Sequence, residues 1–251
     1  MARAADFNVP RSAQPKPQDF AYDLDAALAS VVGLRAMIPA DAFTADVLGT
    51  ERAGNGVIIN DSGLVLTIGY LITEAETIWL TLIDGRVVQG HALAYDHETG
   101  FGLVQALARL DLPPLPMGDS QKAAIGSAVV IGGSGGRAHS VAGRIVAKQE
   151  FAGYWEYLLE EAIYTSPAHP FWGGTALIGA NGHLLGIGSL QLEQSGKKRE
   201  NLNMHVPIDL LKPILNDLQT LGRPNRPARP WLGVYLTEAD NKLVIIGLAE
   251  G

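Results

Sequence analysis

The chain has 251 residues, of which 47% are hydrophobic and 18% are charged. This balance is typical of a globular protein, and the length suffices for one two-barrel β protein or two small domains. The formal net charge of -7 argues against a nucleic-acid partner and against an anionic membrane surface, because both require clustered Lys and Arg. The chain has no cysteine, which excludes disulfides and thiol chemistry.

The N-terminal segment lacks the apolar core of a signal peptide, and no apolar run reaches transmembrane length. We therefore expect a soluble protein that is cytoplasmic as the sequence stands, or periplasmic if a signal was removed. Residues 1–19 are polar and contain three prolines, which predicts a flexible arm that is either disordered or draped over the surface. The apolar spacing from Asp23 to Ala36 predicts a short helix that runs into a strand, and Met37 to Ala53 is predicted to be a loop.

Short strand patterns separated by turns fill most of the remaining chain. Asp61-Ser62-Gly63 and Asp84-Gly85 each separate two apolar segments, which indicates hairpins. Pro113-Pro114 breaks regular structure and divides the chain into two halves, and Asn181-Gly182 indicates a further hairpin turn in the second half. The 29 glycines and 14 prolines favour many turns, so we predict an all-β barrel or sandwich.

A helix is predicted between Pro207 and Gly222, because apolar residues recur there at helical spacing and glycine stops helices. Pro213 falls in its first turns, where proline is least disruptive. The proline-rich stretch from Arg223 to Pro230 predicts a stiff linker, after which a new segment begins at Trp231.

Several segments together resemble serine proteases of the HtrA/DegP type. Gly54 to Thr67 resembles the first barrel strands of that family, Leu112 to Ser120 the connection between its barrels, and Trp172 to Ile187 the region around its nucleophile. Val206 to Leu215 resembles its closing helix, and Trp231 to Val234 the start of its PDZ domain. The resemblance implies an all-β, trypsin/chymotrypsin-like fold of two six-stranded β-barrels with the active cleft between them, followed by a C-terminal helix.

The resemblance divides the chain into four parts. They are a flexible arm at residues 1–19, an N-terminal β-barrel at 20–112, a C-terminal β-barrel with the closing helix at 113–222, and a linker with a truncated PDZ-like start at 223–251. The PDZ-like loop consists of Trp231, Leu232, Gly233 and Val234. PDZ domains capture C-terminal peptides by strand addition. Residues 231–251 are too few for a whole PDZ domain, so PDZ peptide binding is not predicted for the chain as it stands.

The family's catalysis requires a nucleophile, a general base and an acid that orients the base. The resemblance places Tyr70 at the base position, Gly100 at the acid position and Trp172 at the nucleophile position. A phenol with a pKa of about 10 is a poor general base near neutrality, glycine has no side chain, and indole is not a nucleophile. Pro170 lies two residues before Trp172 and lacks the N–H that the family's oxyanion hole uses.

From these positions we predict a pseudoprotease that is not an enzyme and has no cofactor or metal. It is predicted to bind protein or peptide as a regulator or scaffold. The residues predicted to line the binding cleft are Tyr70, His169, Phe171, Trp172 and His205. The aromatic members either plug the cleft or form a pocket, and both alternatives stay open at this point.

Two alternatives remain. The first is an active serine endopeptidase with relocated catalytic residues, for which Ser166 is a candidate nucleophile. The second is a structural subunit of an HtrA-type oligomer, because the resemblance implies a homo-trimer built by residues near Phe20–Tyr22. The cluster Asp96-His97-Glu98, with His91 nearby, is interpreted as a solvated turn rather than a metal site.

Overall fold

The computed structural model describes residues 9–153, 157–194, 200–227, 232–239 and 242–248. Its first half forms a closed antiparallel barrel in the strand order β1-β2-β3-β6-β5-β4. The six strands are β1 (Val31–Met37), β2 (Glu51–Ile58), β3 (Leu64–Ile68), β4 (Thr77–Thr81), β5 (Val87–Tyr95) and β6 (Phe101–Ala106).

Alternation of side chains explains how this barrel closes around a core. In β4, Ile78 and Leu80 are buried while the intervening Trp79 is exposed, as expected for a strand with one face toward the core. The prediction that Met37 to Ala53 is a loop is wrong at both ends of this stretch. Met37 pairs with Glu51, so the β1–β2 ladder extends into this stretch, and a short helix α2 (Ala45–Leu48) lies within the connection.

The second half forms another closed antiparallel barrel, in the order β10-β11-β12-β9-β8-β7. Its strands are β7 (Ala128–Gly132), β8 (Ser140–Ala152), β9 (Leu158–Ser166), β10 (Ala176–Ile178), β11 (Leu184–Gln194) and β12 (Glu200–Pro207). Gly182 has a φ of 79°, which suits the tight turn predicted at Asn181-Gly182 between β10 and β11. The predicted double six-stranded barrel is confirmed.

The helices are short. Helix α1 (Leu24–Ala29) begins after Asp23, whose side chain accepts a hydrogen bond from the Ala26 N–H at 3.0 Å. The continuous helix predicted from Pro207 is wrong in its first half. A 3₁₀ turn at Ile208–Leu210 precedes helix α3 (Leu215–Leu221), because Pro213 interrupts the helical hydrogen bonding. Gly222 ends α3 with a φ of 71°, as predicted.

No helix within the described ranges has both the length and the apolar character needed to cross a lipid bilayer.

The N-terminal segment packs against the second barrel. Val9 is buried in its core and donates its N–H to the Ala138 carbonyl at 2.8 Å, and the Ala142 N–H donates to the Ala13 carbonyl at 2.8 Å. An apolar side chain and backbone hydrogen bonds thus hold the start of this stretch against the barrel, which fits a segment draped over the surface rather than a disordered one. Residues 1–8 lie outside the described residues.

The last part of the chain forms a two-stranded antiparallel sheet of β13 (Val234–Ala239) and β14 (Lys242–Leu248). Of the predicted PDZ-like loop, Leu232 and Gly233 directly precede β13 and Val234 begins it. Trp231 lies outside the described residues.

Candidate functional site

The predicted catalytic positions lie close together where the two barrels contact each other. Tyr70 lies in a 3₁₀ turn (Gly69–Leu71) directly after β3, and the Gly69 N–H donates to the Gly100 carbonyl at 2.7 Å. A Cβ placed on Gly173 would lie 2.8 Å from the Tyr70 hydroxyl. Tyr70 therefore lies between Gly100 and the loop that carries Trp172, and the structure brings the three positions together.

Arg52 holds the turn that carries Tyr70. This arginine is only 4% exposed, and its guanidinium donates to the carbonyls of Tyr70 at 2.8 Å and of Thr73 at 3.1 Å. It also donates to the Thr44 hydroxyl at 2.7 Å. Burial lowers the pKa of Arg52 below its ordinary value, while the nearby charge of Glu74 acts in the opposite direction. The forked donors of one buried cation thus fix the backbone on either side of Tyr70.

Asn55 holds the loop that carries Trp172. Its side-chain amide donates to the carbonyls of Phe171 at 3.0 Å and Gly173 at 3.1 Å, and its own backbone N–H donates to the Gly173 carbonyl at 2.8 Å. Its side-chain oxygen accepts from the Ser134 N–H at 2.9 Å. Gly174 has a φ of 75°, and a Cβ there would clash with the Asn55 carbonyl, so this approach requires glycine.

His169 shapes the start of the same loop. It is 2% exposed, its Nε2 donates to the His139 carbonyl at 2.8 Å, and its Nδ1 accepts the Phe171 N–H at 3.1 Å. These two bonds require a neutral ring with the proton on Nε2. Burial lowers the pKa of His169, which favours that state. The amide of Asn203 bonds both the backbone N–H and the carbonyl of His169.

His205 is fully buried on β12. Its Nε2 is 2.9 Å from the Thr165 hydroxyl, and its Nδ1 has no hydrogen-bond partner within the described part of the chain. Burial, with a smaller contribution from His169, lowers the pKa of His205 to about 3. Neither predicted cleft histidine faces open solvent, so their contact with a ligand stays a prediction and requires the cleft to open.

Two tyrosines converge on Ser189 of β11. The Tyr70 hydroxyl donates to the Ser189 carbonyl at 2.7 Å, and the Tyr157 hydroxyl is hydrogen-bonded to the Ser189 hydroxyl. The Tyr157 ring lies against Gly100, where any Cβ would clash with it. Sequence reasoning missed Tyr157. The signal available was Gly100 itself, because a missing side chain beside a core leaves space that another residue must fill.

Phe171 and Trp172 are half-buried. The Trp172 carbonyl accepts hydrogen bonds from the Thr175 N–H at 3.1 Å and from the Thr175 hydroxyl at 2.8 Å. Pro170 precedes them and has no N–H to donate. Part of the surface of each of these two aromatic residues therefore stays exposed.

The acidic turn before Gly100 is held by ion pairs. Asp96 is buried, accepts from the Thr99 hydroxyl at 2.7 Å, and pairs with Arg226 at 3.1 Å. Arg226 also pairs with Glu98 at 2.8 Å. The His97 ring contacts Tyr95 at a centroid distance of 4.1 Å. In the described part of the chain, no group of three or more His, Cys, Asp and Glu side chains is arranged to hold a metal ion.

The comparisons with known proteins concern the whole double barrel. A family model described as "Trypsin-like peptidase domain" matches residues 54–187. A "Probable periplasmic serine endoprotease DegP-like" of Pseudomonas putida (strain W619) is 30% identical over 197 residues, which cover 77% of this chain and 40% of that protein. A protein of the same name from Hahella chejuensis (strain KCTC 2396) is 27% identical with the same coverage. The chain thus spans about 40% of the length of these curated relatives.

Solved structures share the fold. The "HtrA-type protease AlgW with tripeptide" has a TM-score of 0.66 at 20% identity, and the match covers 90% of this chain and 75% of that chain. The "HtrA-type protease AlgW with decapeptide" has a TM-score of 0.63 at 20% identity and covers 89% and 78%.

The prediction that this chain is not an enzyme is wrong, because the relatives are named serine endoproteases and the family model is that of a peptidase domain. That prediction inferred that the whole domain is inactive from the residues at positions 70, 100 and 172. Three positions alone do not decide whether the domain is catalytic. From the family match and these relatives, the chain belongs to the HtrA/DegP-like family of trypsin-like peptidases.

Proposed function

We propose that this family member binds extended polypeptide in the cleft between its barrels and acts through that binding as a regulator or scaffold of other proteins. The observation that carries the proposal is the pair of half-buried aromatic residues, Phe171 and Trp172, on a loop that Asn55 holds from the opposite barrel. Partly accessible aromatic side chains on a fixed backbone are typical anchors for protein ligands. The similar AlgW structures carry a tripeptide and a decapeptide.

Peptide-bond hydrolysis is the second candidate, and the names of the relatives favour it. Tyr70 and Trp172 do not offer the base and nucleophile of the Ser-His-Asp mechanism, so hydrolysis would use other groups. Thr165 and His205 form a hydroxyl–imidazole pair, but both are fully buried. Hydrolysis through this pair requires an opening that admits substrate to β9 and β12.

The relatives' printed name places them in the periplasm, and we propose the same compartment for this chain in preference to the cytoplasm. The homo-trimer near Phe20–Tyr22 stays a prediction. The two rings contact each other at a centroid distance of 5.4 Å, and Tyr22 also packs on Gly182 of its own chain. Light scattering of the purified protein tests the trimer.

Fluorescence anisotropy with labelled, reduced and carboxymethylated lactalbumin tests the binding function. The double substitution Phe171→Ala and Trp172→Ala is expected to weaken binding at least about tenfold, because it removes the accessible anchors. Trp79→Ala is the matched control, since Trp79 is 41% exposed on the outer face of β4. Equal affinities of the wild type and the double variant would contradict the proposal.

A parallel assay of peptide release from labelled casein, with fluorophosphonate labelling, tests hydrolysis. Turnover that Thr165→Val abolishes would favour the second candidate and name its nucleophile.

A further inference from the structure

We propose that a cavity between the N-terminal segment and the second barrel binds the phosphate group of a small, soluble phosphate compound. The cavity has a volume of about 670 Å³, which lies within the range of small-molecule sites in proteins. None of the residues predicted to line the cleft belongs to its described lining. The cavity is therefore a second site, beyond the proposed polypeptide-binding function.

The N-terminal segment forms one wall of the cavity, and the barrel holds this segment on both sides of Arg11. Val9 is buried in the core of the second barrel and donates its N–H to the Ala138 carbonyl at 2.8 Å. The carbonyl of Ala13 accepts the Ala142 N–H, also at 2.8 Å. Arg11 thus lies on a fixed backbone, which reduces the entropy that a ligand must overcome on binding there.

Three cationic side chains line the cavity. Arg11 and Lys16 come from the N-terminal segment, and Arg137 comes from the 3₁₀ turn Gly136–His139 that precedes β8. Asp25 of α1 is the acid among the described lining residues, and its Oδ1 lies 2.9 Å from the Arg137 Nε. The described lining therefore has an excess of two positive charges, although the whole chain has a net charge of -7.

These cations have donors available for an anion. Among the residues that the structure describes, the side chains of Arg11 and Lys16 take part in no ion pair or hydrogen bond. Arg137 contacts Asp25 through Nε, and its two Nη groups have no partner in the described ranges. The Arg137 and Asp25 side chains are 48% and 61% exposed, so a ligand from solvent can reach them. Two Nη groups of one guanidinium match two oxygens of a phosphate.

The charge of the lining favours a phosphate over a carboxylate. A phosphate monoester carries a charge of about -1.5 to -2 at pH 7, close to the excess of two positive charges, whereas a carboxylate carries a single charge. The described lining contains no aromatic side chain on which a nucleotide base could stack. The amides of Gln14 and Gln18 line the cavity and suit hydroxyl groups. The ligand that fits best is a phosphate monoester of a small hydroxylated molecule, and free phosphate is the other source of the same group.

Isothermal titration calorimetry at low salt tests the site with glycerol 3-phosphate and with inorganic phosphate. We expect both to bind the wild type at millimolar concentration, and glycerate, which has a carboxylate instead of the phosphate, to bind at least about tenfold more weakly. Arg137→Gln should weaken phosphate binding at least about tenfold and Arg11→Gln about threefold, because each removes charged donors. Arg109→Gln is the matched control, since Arg109 is exposed and lies outside the cavity.

Asp25→Asn should act in the opposite direction. Removing the acid raises the excess of positive charge, so glycerol 3-phosphate should bind about threefold more tightly. An ion pair that only supports the fold would give weaker binding or no change, and either result would overturn the proposal. Asp46→Asn, at an exposed position of α2, is the control and should leave the affinity unchanged.

Hydrogen exchange measured by NMR tests whether the N-terminal segment belongs to the site. Saturating glycerol 3-phosphate should slow exchange of the Val9 N–H at least about threefold, because release of the segment removes Arg11 and Lys16 from the ligand. The Leu115 N–H, which donates to the Ile58 carbonyl at 2.8 Å, is the control and should slow less. Equal slowing of the two amides, or no change at Val9, would contradict the proposed site.

The two phosphate compounds distinguish the source of the ligand. Tighter binding of glycerol 3-phosphate than of inorganic phosphate supports the ester, whereas equal affinities assign the cavity to free phosphate and overturn the ester. If neither compound binds the wild type at millimolar concentration, or if Arg109→Gln loses as much affinity as Arg137→Gln, the phosphate site itself is overturned.

Discussion

The turn that carries Tyr70 and the loop that carries Trp172 lie next to each other where the two barrels meet, but they are held in different ways. The Tyr70 turn is bound by Arg52, a charged residue of the same barrel. The Trp172 loop is bound by neutral groups from both barrels, the amide of Asn55 in the first and of Asn203 in the second.

Arg52 and Asn55 therefore have different structural roles. Arg52 satisfies carbonyls within the first barrel, so its loss should weaken that barrel. Asn55 joins the first barrel to Phe171, Gly173 and Ser134 of the second, so its loss should change how the two walls of the cleft meet. Substitutions on the two sides therefore have distinguishable consequences for stability and for binding.

The largest effect is expected for Arg52→Met. The substitution leaves the carbonyls of Tyr70 and Thr73 without the donor that the buried Arg52 supplies, which should lower the free energy of unfolding by about 3 kcal/mol. Urea denaturation measures it. Arg35→Met is the control, because Arg35 makes an exposed ion pair with Glu51 and should cost less than about 0.5 kcal/mol. Equal losses in the two variants would contradict a special role for Arg52.

Asn55→Ala should lower the free energy of unfolding by about 2 kcal/mol, because several hydrogen bonds between the barrels are lost. Unlike Arg52→Met, it should also weaken lactalbumin binding measurably at a temperature where the variant is folded, since the Trp172 loop loses its fixed position. Asn216→Ala, at an exposed position of α3, is the control. If folded Asn55→Ala binds lactalbumin as tightly as the wild type, the proposed difference between the roles of Arg52 and Asn55 is contradicted.

Lowering the pH should reduce the free energy of unfolding through His169, at the start of the Trp172 loop, and through His205. The pKa of His169 is lowered by burial and that of His205 is lowered to about 3, while both rings titrate near 6.5 when unfolded. Below pH 6.5 the unfolded chain binds more protons than the folded one, so stability present above pH 6.5 is lost as the pH falls toward 3.

His205→Phe should flatten this pH dependence by up to about 1.4 kcal/mol per pH unit relative to the wild type, as measured by urea denaturation between pH 6.5 and 5. His91→Gln, at an exposed position, should leave the slope unchanged. A wild-type slope in His205→Phe would show that this ring does not carry the effect.

The smallest effect is expected for Glu74→Gln. Glu74 lies at the surface and supports the segment around Thr44, which Arg52 also binds. Its carboxylate accepts the N–H groups of Phe43 at 2.9 Å and Thr44 at 2.8 Å. The Thr44 hydroxyl bond is the main cause that lowers the Glu74 pKa, so this stabilisation is present above pH 4.5 and is lost as the pH falls below it.

Glu74→Gln is expected to lower the free energy of unfolding by about 0.5 kcal/mol at pH 7, a small effect because the group is exposed. The difference should vanish below the folded-state pKa of Glu74. Thermal denaturation at pH 7 and pH 3 measures it. Glu76→Gln, also exposed, is the control and should show no such pH-dependent difference.

The sequence predicted the local features of the fold and fewer of the long-range ones. The turn at Asn181-Gly182 and the stop at Gly222 follow from residue types that favour one backbone geometry. Apolar alternation indicates which face of a strand is buried, but not which residue covers it. Asn55 meets Phe171 from 116 positions away, and Tyr157 meets Gly100 from a distant hairpin, so neither contact has a local signal. The packing of Val9 was missed for the same reason.

Arg226 ties the linker after the closing helix to the first barrel. It lies 130 positions along the chain from Asp96, yet it binds both Asp96 and Glu98 at the edge of the first barrel. The Asp96 carbonyl in the same turn accepts the Gly100 N–H. Two ion pairs and one peptide hydrogen bond therefore connect the linker to the backbone of Gly100, one of the three predicted catalytic positions.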